Sequence, residues 1–207
     1  MVARQLRRRG VVDERVLEAM GRVPRELFVP PTLAERTYDD AALPIGYGQT
    51  ISQPFVVASM LALAAPCAGD AALDVGTGSG YAAAVLATLG AHVVGVELVP
   101  DLAHRARAAL HRAGVEGVEV RVGDGRLGAP DAAPFDVILV AAATAAVPQA
   151  LLDQLADRGR LVLPLGGVAG QVLVRLERRG DAVVETRSFP CRFVPLLSRA
   201  TVDEAGV

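Results

Sequence analysis

The sequence predicts an α/β protein: a doubly wound, mostly parallel sheet with helices on both faces and an antiparallel hairpin at its C-terminal end. Three observations predict it. From Ala71 onward, short Val/Ile/Leu runs alternate with stretches of helical character, the pattern of strands buried on both faces. The first run, Ala71 to Val75, ends in Gly76-Thr77-Gly78-Ser79-Gly80 and leads into the alanine-rich stretch Ala82 to Leu89. Near the C-terminus the rhythm changes: Gln171 to Arg178 and Ala182 to Arg187 alternate apolar with polar around Arg179-Gly180-Asp181, which signals a hairpin.

Taken in order, Val12 to Met20 carries apolar residues at helical spacing, with Asp13 and Glu14 placed to favour a helix start. Pro24 to Phe28 reads as a short turn closed by Pro30-Pro31, and Tyr38 to Gly48 as an irregular loop lying over something. Ser52 precedes Pro54 and the apolar run Val56 to Leu63, the pattern of a capped helix with proline in its first turn. Strands are predicted at 71–75, 92–97, 118–122, 135–141 and 160–165. Helices are predicted at 80–89, 100–112 and 148–156, with Pro100 and Pro148 in first-turn positions and Gly90 and Gly114 as stops. One domain over 1–207 is expected, divided into an N-terminal helical and substrate-loop segment (1–66) and a core with the hairpin (67–198).

Composition excludes several function classes. A chain that is 52% hydrophobic and 21% charged is globular, and a net charge of -2 gives no basic field for nucleic acid. Arg7-Arg8-Arg9 reads as a solvated face rather than a binding arm. Cys67 and Cys191 fit no metal or redox spacing, and two reduced thiols suit a cytoplasmic protein. The apolar stretches Phe55 to Ala68 and Val137 to Leu152 are too short or interrupted to span a bilayer, so no membrane association is expected. His92, His104 and His111 form neither a catalytic set nor a metal site.

The candidate site lies where strands end. Gly76, Gly78 and Gly80 follow a G-x-G-x-G pattern, neither a dinucleotide fingerprint nor a phosphate-binding loop, and a tight packing turn would read the same way. Glu97 closes the second strand about 20 residues after the glycine turn begins, where a carboxylate can accept hydrogen bonds from ribose hydroxyls; an ordinary surface acid is the alternative. Gly123-Asp124-Gly125-Arg126 follows the third strand: Asp124 could face an adenine amine and Gly125 a flat ring, or the four could be a plain Asp-Gly turn.

With Glu97, the run Asp74-Val75-Gly76-Thr77-Gly78-Ser79-Gly80 resembles the cofactor site of class I S-adenosylmethionine-dependent methyltransferases. More narrowly, five stretches resemble the protein-L-isoaspartate (D-aspartate) O-methyltransferase family: Leu43-Pro44-Ile45-Gly46-Tyr47-Gly48-Gln49-Thr50-Ile51-Ser52-Gln53-Pro54, Val23-Pro24-Arg25-Glu26-Leu27-Phe28-Val29-Pro30, Gly123 to Arg126, Ala133-Pro134-Phe135-Asp136 and Arg192-Phe193-Val194-Pro195-Leu196. The resemblance implies methyl transfer from S-adenosyl-L-methionine, leaving S-adenosyl-L-homocysteine, to the carboxylate of L-isoaspartyl residues in damaged proteins. It assigns Ser52 as the active-site serine and lets Gln49, Thr50 and Ile51 shape the loop over the cofactor. Asp74 belongs to the cofactor site, Gly76 to Gly80 (with Thr77, Gly78 and Ser79 between) hold the methionyl part, Glu97 and Leu98 the ribose region, and Asp124, Gly125 and Arg126 the adenine side. Phe193, Val194, Pro195 and Leu196 help line the peptide groove. Two positions depart from the pattern without touching the chemistry: Cys191 stands where an aliphatic residue is expected, and Val57 where some relatives carry a polar one.

The implied chemistry needs no metal and no general base, because a carboxylate with an ordinary pKa near ~4 is already ionised at neutral pH. Alignment and partial desolvation can supply the acceleration, up to roughly 7–11 kcal/mol in favourable intramolecular cases. Ser52 then orients the carboxylate, caps the following helix, or both. A peptide-tailoring aspartate methyltransferase and a non-catalytic S-adenosylmethionine-binding regulatory module remain as alternatives, and a monomer is expected.

Overall fold

The computed structural model describes residues 1–167 and 169–198. Two short helical turns, Val2–Leu6 and Arg7–Arg9, lead to helix α1 (Glu14–Arg22), whose first turn is capped by the Asp13 carboxylate accepting from the Arg15 and Val16 amides. Residues 25–28 and 31–36 form 3-10 turns. The expected loop at 38–48 is in part a hairpin: β1 (Leu43–Gly46) pairs antiparallel with β2 (Gln49–Ile51). Leu43, Ile45 and Ile51 alternate with exposed neighbours and enter the core, a period-two signal too short to stand out among Pro44, Gly46 and Gly48. Helix α2 (Pro54–Ala64) follows.

The main sheet contains β3 (Ala71–Val75), β4 (His92–Glu97), β5 (Val118–Val122), β6 (Phe135–Val140), β7 (Leu155–Gly167), β8 (Gly170–Arg179) and β9 (Ala182–Cys191). Their order is β5-β4-β3-β6-β7-β8-β9; β3 to β7 run parallel, and β8 and β9 return antiparallel as the predicted hairpin. Alternate residues of β3 and β6 enter different cores. Ala72, Val137 and Leu139 pack with α1, α2, α3 (Tyr81–Thr88) and α4 (Pro100–Arg112) on one face. Leu73, Val75, Ile138 and Val140 pack with Leu151 of α5 (Gln149–Asp153) on the other.

The last crossover differs from expectation. Helix α5 stops at Asp153 rather than 156, and β7 begins at Leu155 rather than 160. Gln154 ends the helix by bonding outward: its side chain accepts from the Ala129 amide and donates to the Leu127 carbonyl, while its own carbonyl accepts from Phe135. Leu155 then pairs with Phe135, and a register shift absorbs the residues before Arg160. Arg160 fastens the layers, donating to the carbonyls of Ala64 and Ala65 at the end of α2 and to Asp70 (2.9 Å) ahead of β3.

Candidate active site

Strand order reverses between β3 and β6, and a cleft opens at their carboxyl ends, where such a switch leaves room for a ligand. Gly76, Gly78, Glu97, Leu98 and Gly125 line it, joined by Gln49 and Thr50 from the hairpin and by Val194, Pro195 and Leu196 from the C-terminal segment. At Gly125 the approach is tight: a Cβ there would lie 2.5 Å from Val75 Cγ1. Gly80 is left-handed (φ +89°) and packs on Ala106, where a Cβ would meet that side chain at 3.3 Å.

Glu97 is almost fully buried, and its two oxygens accept from the amides of Gly78 (2.8 Å) and Val99 (2.9 Å). Those bonds join the glycine turn to the start of α4 and leave further lone pairs on each oxygen for hydroxyl donors. Beneath the turn, Asp74 is fully buried with neither carboxylate oxygen hydrogen-bonded. Burial pushes its pKa up to about 7; the Thr77 hydroxyl opposes the rise and the Glu97 charge adds to it. Thr77 donates to the Asp74 backbone carbonyl (2.9 Å), fixing the turn from below.

The other predicted cofactor residues fall around this cleft rather than all on its wall. Ile51 is in the core, and Ser79 faces a neighbouring hollow with Ile45 and Leu102. Asp124 accepts from the Arg126 amide, and the Arg126 guanidinium donates to the Leu196 carbonyl (2.9 Å), holding the C-terminal segment at the rim. Sequence reasoning did not single out Ala141 and Ala142, which follow β6 and line the cleft; two alanines after an apolar strand carry no chemical signal.

A second depression, of about 370 Å³, lies beside the first, and Thr50 lines both. Ser52, Phe55, Phe189, Phe193, Arg192 and Arg9 help form it. The predicted peptide-binding run therefore divides: Phe193 faces this groove, while Val194 to Leu196 face the cleft. Arg9 is exposed, as the arginine run predicts, and is nonetheless engaged. Its guanidinium sits 3.7 Å from the Phe55 ring centroid and pairs with Asp40 (2.5 Å). Asp40 also accepts from the Phe55 amide, so this carboxylate, and not Ser52, serves the first turn of α2. The Ser52 hydroxyl has no hydrogen-bond partner among the described residues, while the Ser52 carbonyl accepts from Arg25.

The cleft suits a ligand with a ribose and cationic groups. Among the described residues its only charged lining side chain is Glu97, with Asp74 behind it, so a phosphate would meet carboxylates and no cation. Glu97 keeps acceptor lone pairs at the strand ends, the chemistry a diol calls for, with the Gly76–Gly80 turn beside them. Among the described residues no three of His, Cys, Asp and Glu come together in a way that could hold a metal ion.

Fold and cleft define a class I S-adenosylmethionine-dependent methyltransferase. A precorrin-6Y C5,15-methyltransferase structure from Geobacter metallireducens shares this fold (TM-score 0.54, 15% identity, covering 74% of this chain and 92% of that one). Residues 1–201 match the family described as protein-L-isoaspartate(D-aspartate) O-methyltransferase (PCMT), and the chain belongs to that family. It is 54% identical to the protein-L-isoaspartate O-methyltransferase of Methylorubrum populi, covering 95% of this chain and 93% of the relative. Identity to that of Methanoregula boonei is 52%, covering 96% and 92%. A protein-L-isoaspartate O-methyltransferase structure from Plasmodium falciparum, in complex with S-adenosyl-L-homocysteine, superposes with a TM-score of 0.83 at 26% identity, covering 95% of this chain and 96% of that one.

Proposed function

We propose that Ser52 is the residue on which methyl transfer turns, and that the groove beside it seats the isoaspartyl segment in extended form. The protein is an S-adenosylmethionine-dependent protein-L-isoaspartate O-methyltransferase. One observation carries the Ser52 assignment: its hydroxyl is unengaged, on a groove that meets the cofactor cleft at Thr50.

The Gly76–Gly80 turn and Glu97 would hold S-adenosylmethionine, which would supply an activated methyl on its sulfonium to the acceptor carboxylate, the C–S electron pair leaving with sulfur as the new C–O bond forms. Ser52 donates to the acceptor carboxylate and points its free oxygen toward Thr50. It needs no basic neighbour, since the acceptor arrives ionised. Phe55 and Phe189, with ring centroids 5.5 Å apart, give the groove an apolar wall that excludes water. Esterification lets the neighbouring backbone nitrogen expel methanol and close a succinimide, which water reopens in part to normal aspartate.

Gln49 and Thr50 separate the two ligands, and Phe193 supports the peptide while Val194 to Leu196 close the cofactor's side. Residues 1–66 supply most of the acceptor groove and 67–198 the cofactor cleft within a single unit. Two free cysteines, Cys67 exposed, fit action in the cytoplasm, and we assign a monomer. No helix among the described residues is long and apolar enough to cross a membrane.

The test is transfer of labelled methyl groups to a pair of peptides differing only in isoaspartate against aspartate. Label on the isoaspartyl peptide, followed by methanol release, is expected. Preference for the aspartyl peptide would indicate a tailoring enzyme, and cofactor binding without label on either would indicate a regulatory module.

A further inference from the structure

Arg25 is the largest fully buried side chain among the described residues, and no carboxylate hydrogen-bonds to it. Its Nε donates to the Thr37 carbonyl and its Nη2 to the Ser52 carbonyl, each at 2.9 Å, while Nη1 has no partner. The guanidinium carbon stands 4.8 Å from the ring centroid of Tyr81, which opens α3 directly after Gly80. The Tyr81 hydroxyl is likewise buried without a partner, and its ring packs edge-on against Phe28. Asp40, already paired with Arg9, acts on Arg25 only at longer range.

Holding two carbonyls does not call for a charge. A neutral amide could donate to them without carrying a cation out of water. A guanidinium adds a rigid planar fork and a permanent positive charge. The fork here spans Thr37 and Ser52, while its face rests on the residue that follows the cofactor turn. The charge sits directly behind the backbone of the serine that faces an anionic acceptor.

We propose that Arg25 is a positioning residue for the acceptor: it fixes the Ser52 backbone relative to the cofactor turn, and its charge draws the substrate carboxylate to that serine. The proposal rests on the assignment of Ser52.

The experiment uses the full chain with Arg25→Lys, Arg25→Met, Ser52→Ala and the double variant Arg25→Lys/Ser52→Ala. The readouts are kcat and KM for an isoaspartyl peptide, S-adenosylhomocysteine affinity by calorimetry, and thermal melting. Arg25→Lys keeps the charge and loses the fork, so its kcat/KM is expected to fall about tenfold, mostly through KM, with product affinity within about twofold of wild type. Arg25→Met loses both and is expected to fall about fivefold further; if it does not fold, Arg25→Lys decides alone. Because Arg25 acts through Ser52, the double variant should be little worse than Ser52→Ala. A wild-type kcat/KM in Arg25→Lys, additive losses in the double variant, or a parallel loss of product affinity would overturn the Arg25 assignment while leaving that of Ser52 intact. A Ser52→Ala enzyme with full kcat/KM would instead remove Ser52, and Arg25 with it.

Discussion

The cofactor cleft and the acceptor groove each stand on one buried ionisable group that the fold leaves incompletely bonded, and the two groups have opposite sign. Asp74 lies under the cleft with both oxygens unpartnered; Arg25 lies under the groove with one nitrogen unpartnered. On the proposed assignment, each site carries behind it the charge complementary to its ligand: an acid behind a cationic cofactor, a cation behind an anionic acceptor. A buried group of this kind costs stability in the free protein and strengthens its attraction for the ligand, since the low dielectric that penalises it also enlarges its field. The groups differ in one respect. Asp74 can shed its cost by taking up a proton, whereas a guanidinium remains charged.

That difference gives the largest expected effect. Asp74 has a folded pKa of about 7, above its ordinary value of 3.8, so the folded state holds its proton more tightly than the unfolded chain. Its contribution is fully present below the unfolded pKa and is lost as pH rises through about 7. Between pH 5 and pH 8 the loss is bounded at about 3 kcal/mol. Asp74→Asn should remove this slope, so that its melting temperature gains on wild type from pH 5 to pH 8; a constant offset across that range would show that Asp74 does not titrate there. Ser52→Ala comes next: kcat/KM for the isoaspartyl peptide should drop about 10²-fold with S-adenosylhomocysteine affinity kept, and retained turnover would detach the groove from the chemistry. Glu97→Gln should do the converse, weakening product affinity about tenfold in calorimetry while leaving the peptide KM near wild type. Smallest is Arg9→Ala, which removes the guanidinium from the Phe55 ring and should raise peptide KM about threefold; an unchanged KM would show that Arg9 takes no part in holding the peptide.

How far each region could be read from the sequence follows from how it is assembled. The cleft grows from short contiguous pieces at strand ends, so Gly76 to Gly80, Glu97 and Gly125 were legible from a strand's length, a glycine spacing and an acid in an apolar run. What escaped there was local: Ala141 and Ala142 look like packing residues, and α5 gave way to β7 because Gln154 bonds across to Ala129 and Leu127. The groove gathers Arg9, Ala42, residues between Thr50 and Val56, and residues 189–193 from both ends of the chain. No spacing links Arg9 to Phe55, and an arginine run beside a glycine reads as solvated until the fold lays it on the ring. Ser52 was legible only as a motif residue; that Asp40 takes over the helix cap and frees its hydroxyl depends on a contact across 15 positions. Arg25 sits in a motif as well, but its burial between Thr37, Ser52 and Tyr81 is tertiary.

Ser52 is half-buried and lines one groove with Phe55, Phe189 and Arg9, whose guanidinium rests on the Phe55 ring. On the proposed seating of an extended segment, a client protein presents its lesion by lifting the damaged stretch away from its own fold. How often it does so is a property of the client, set by its local opening free energy. Repair on this scaffold is thus metered by the breathing of whatever is being repaired, and lesions in frayed loops will be cleared long before those locked in strands.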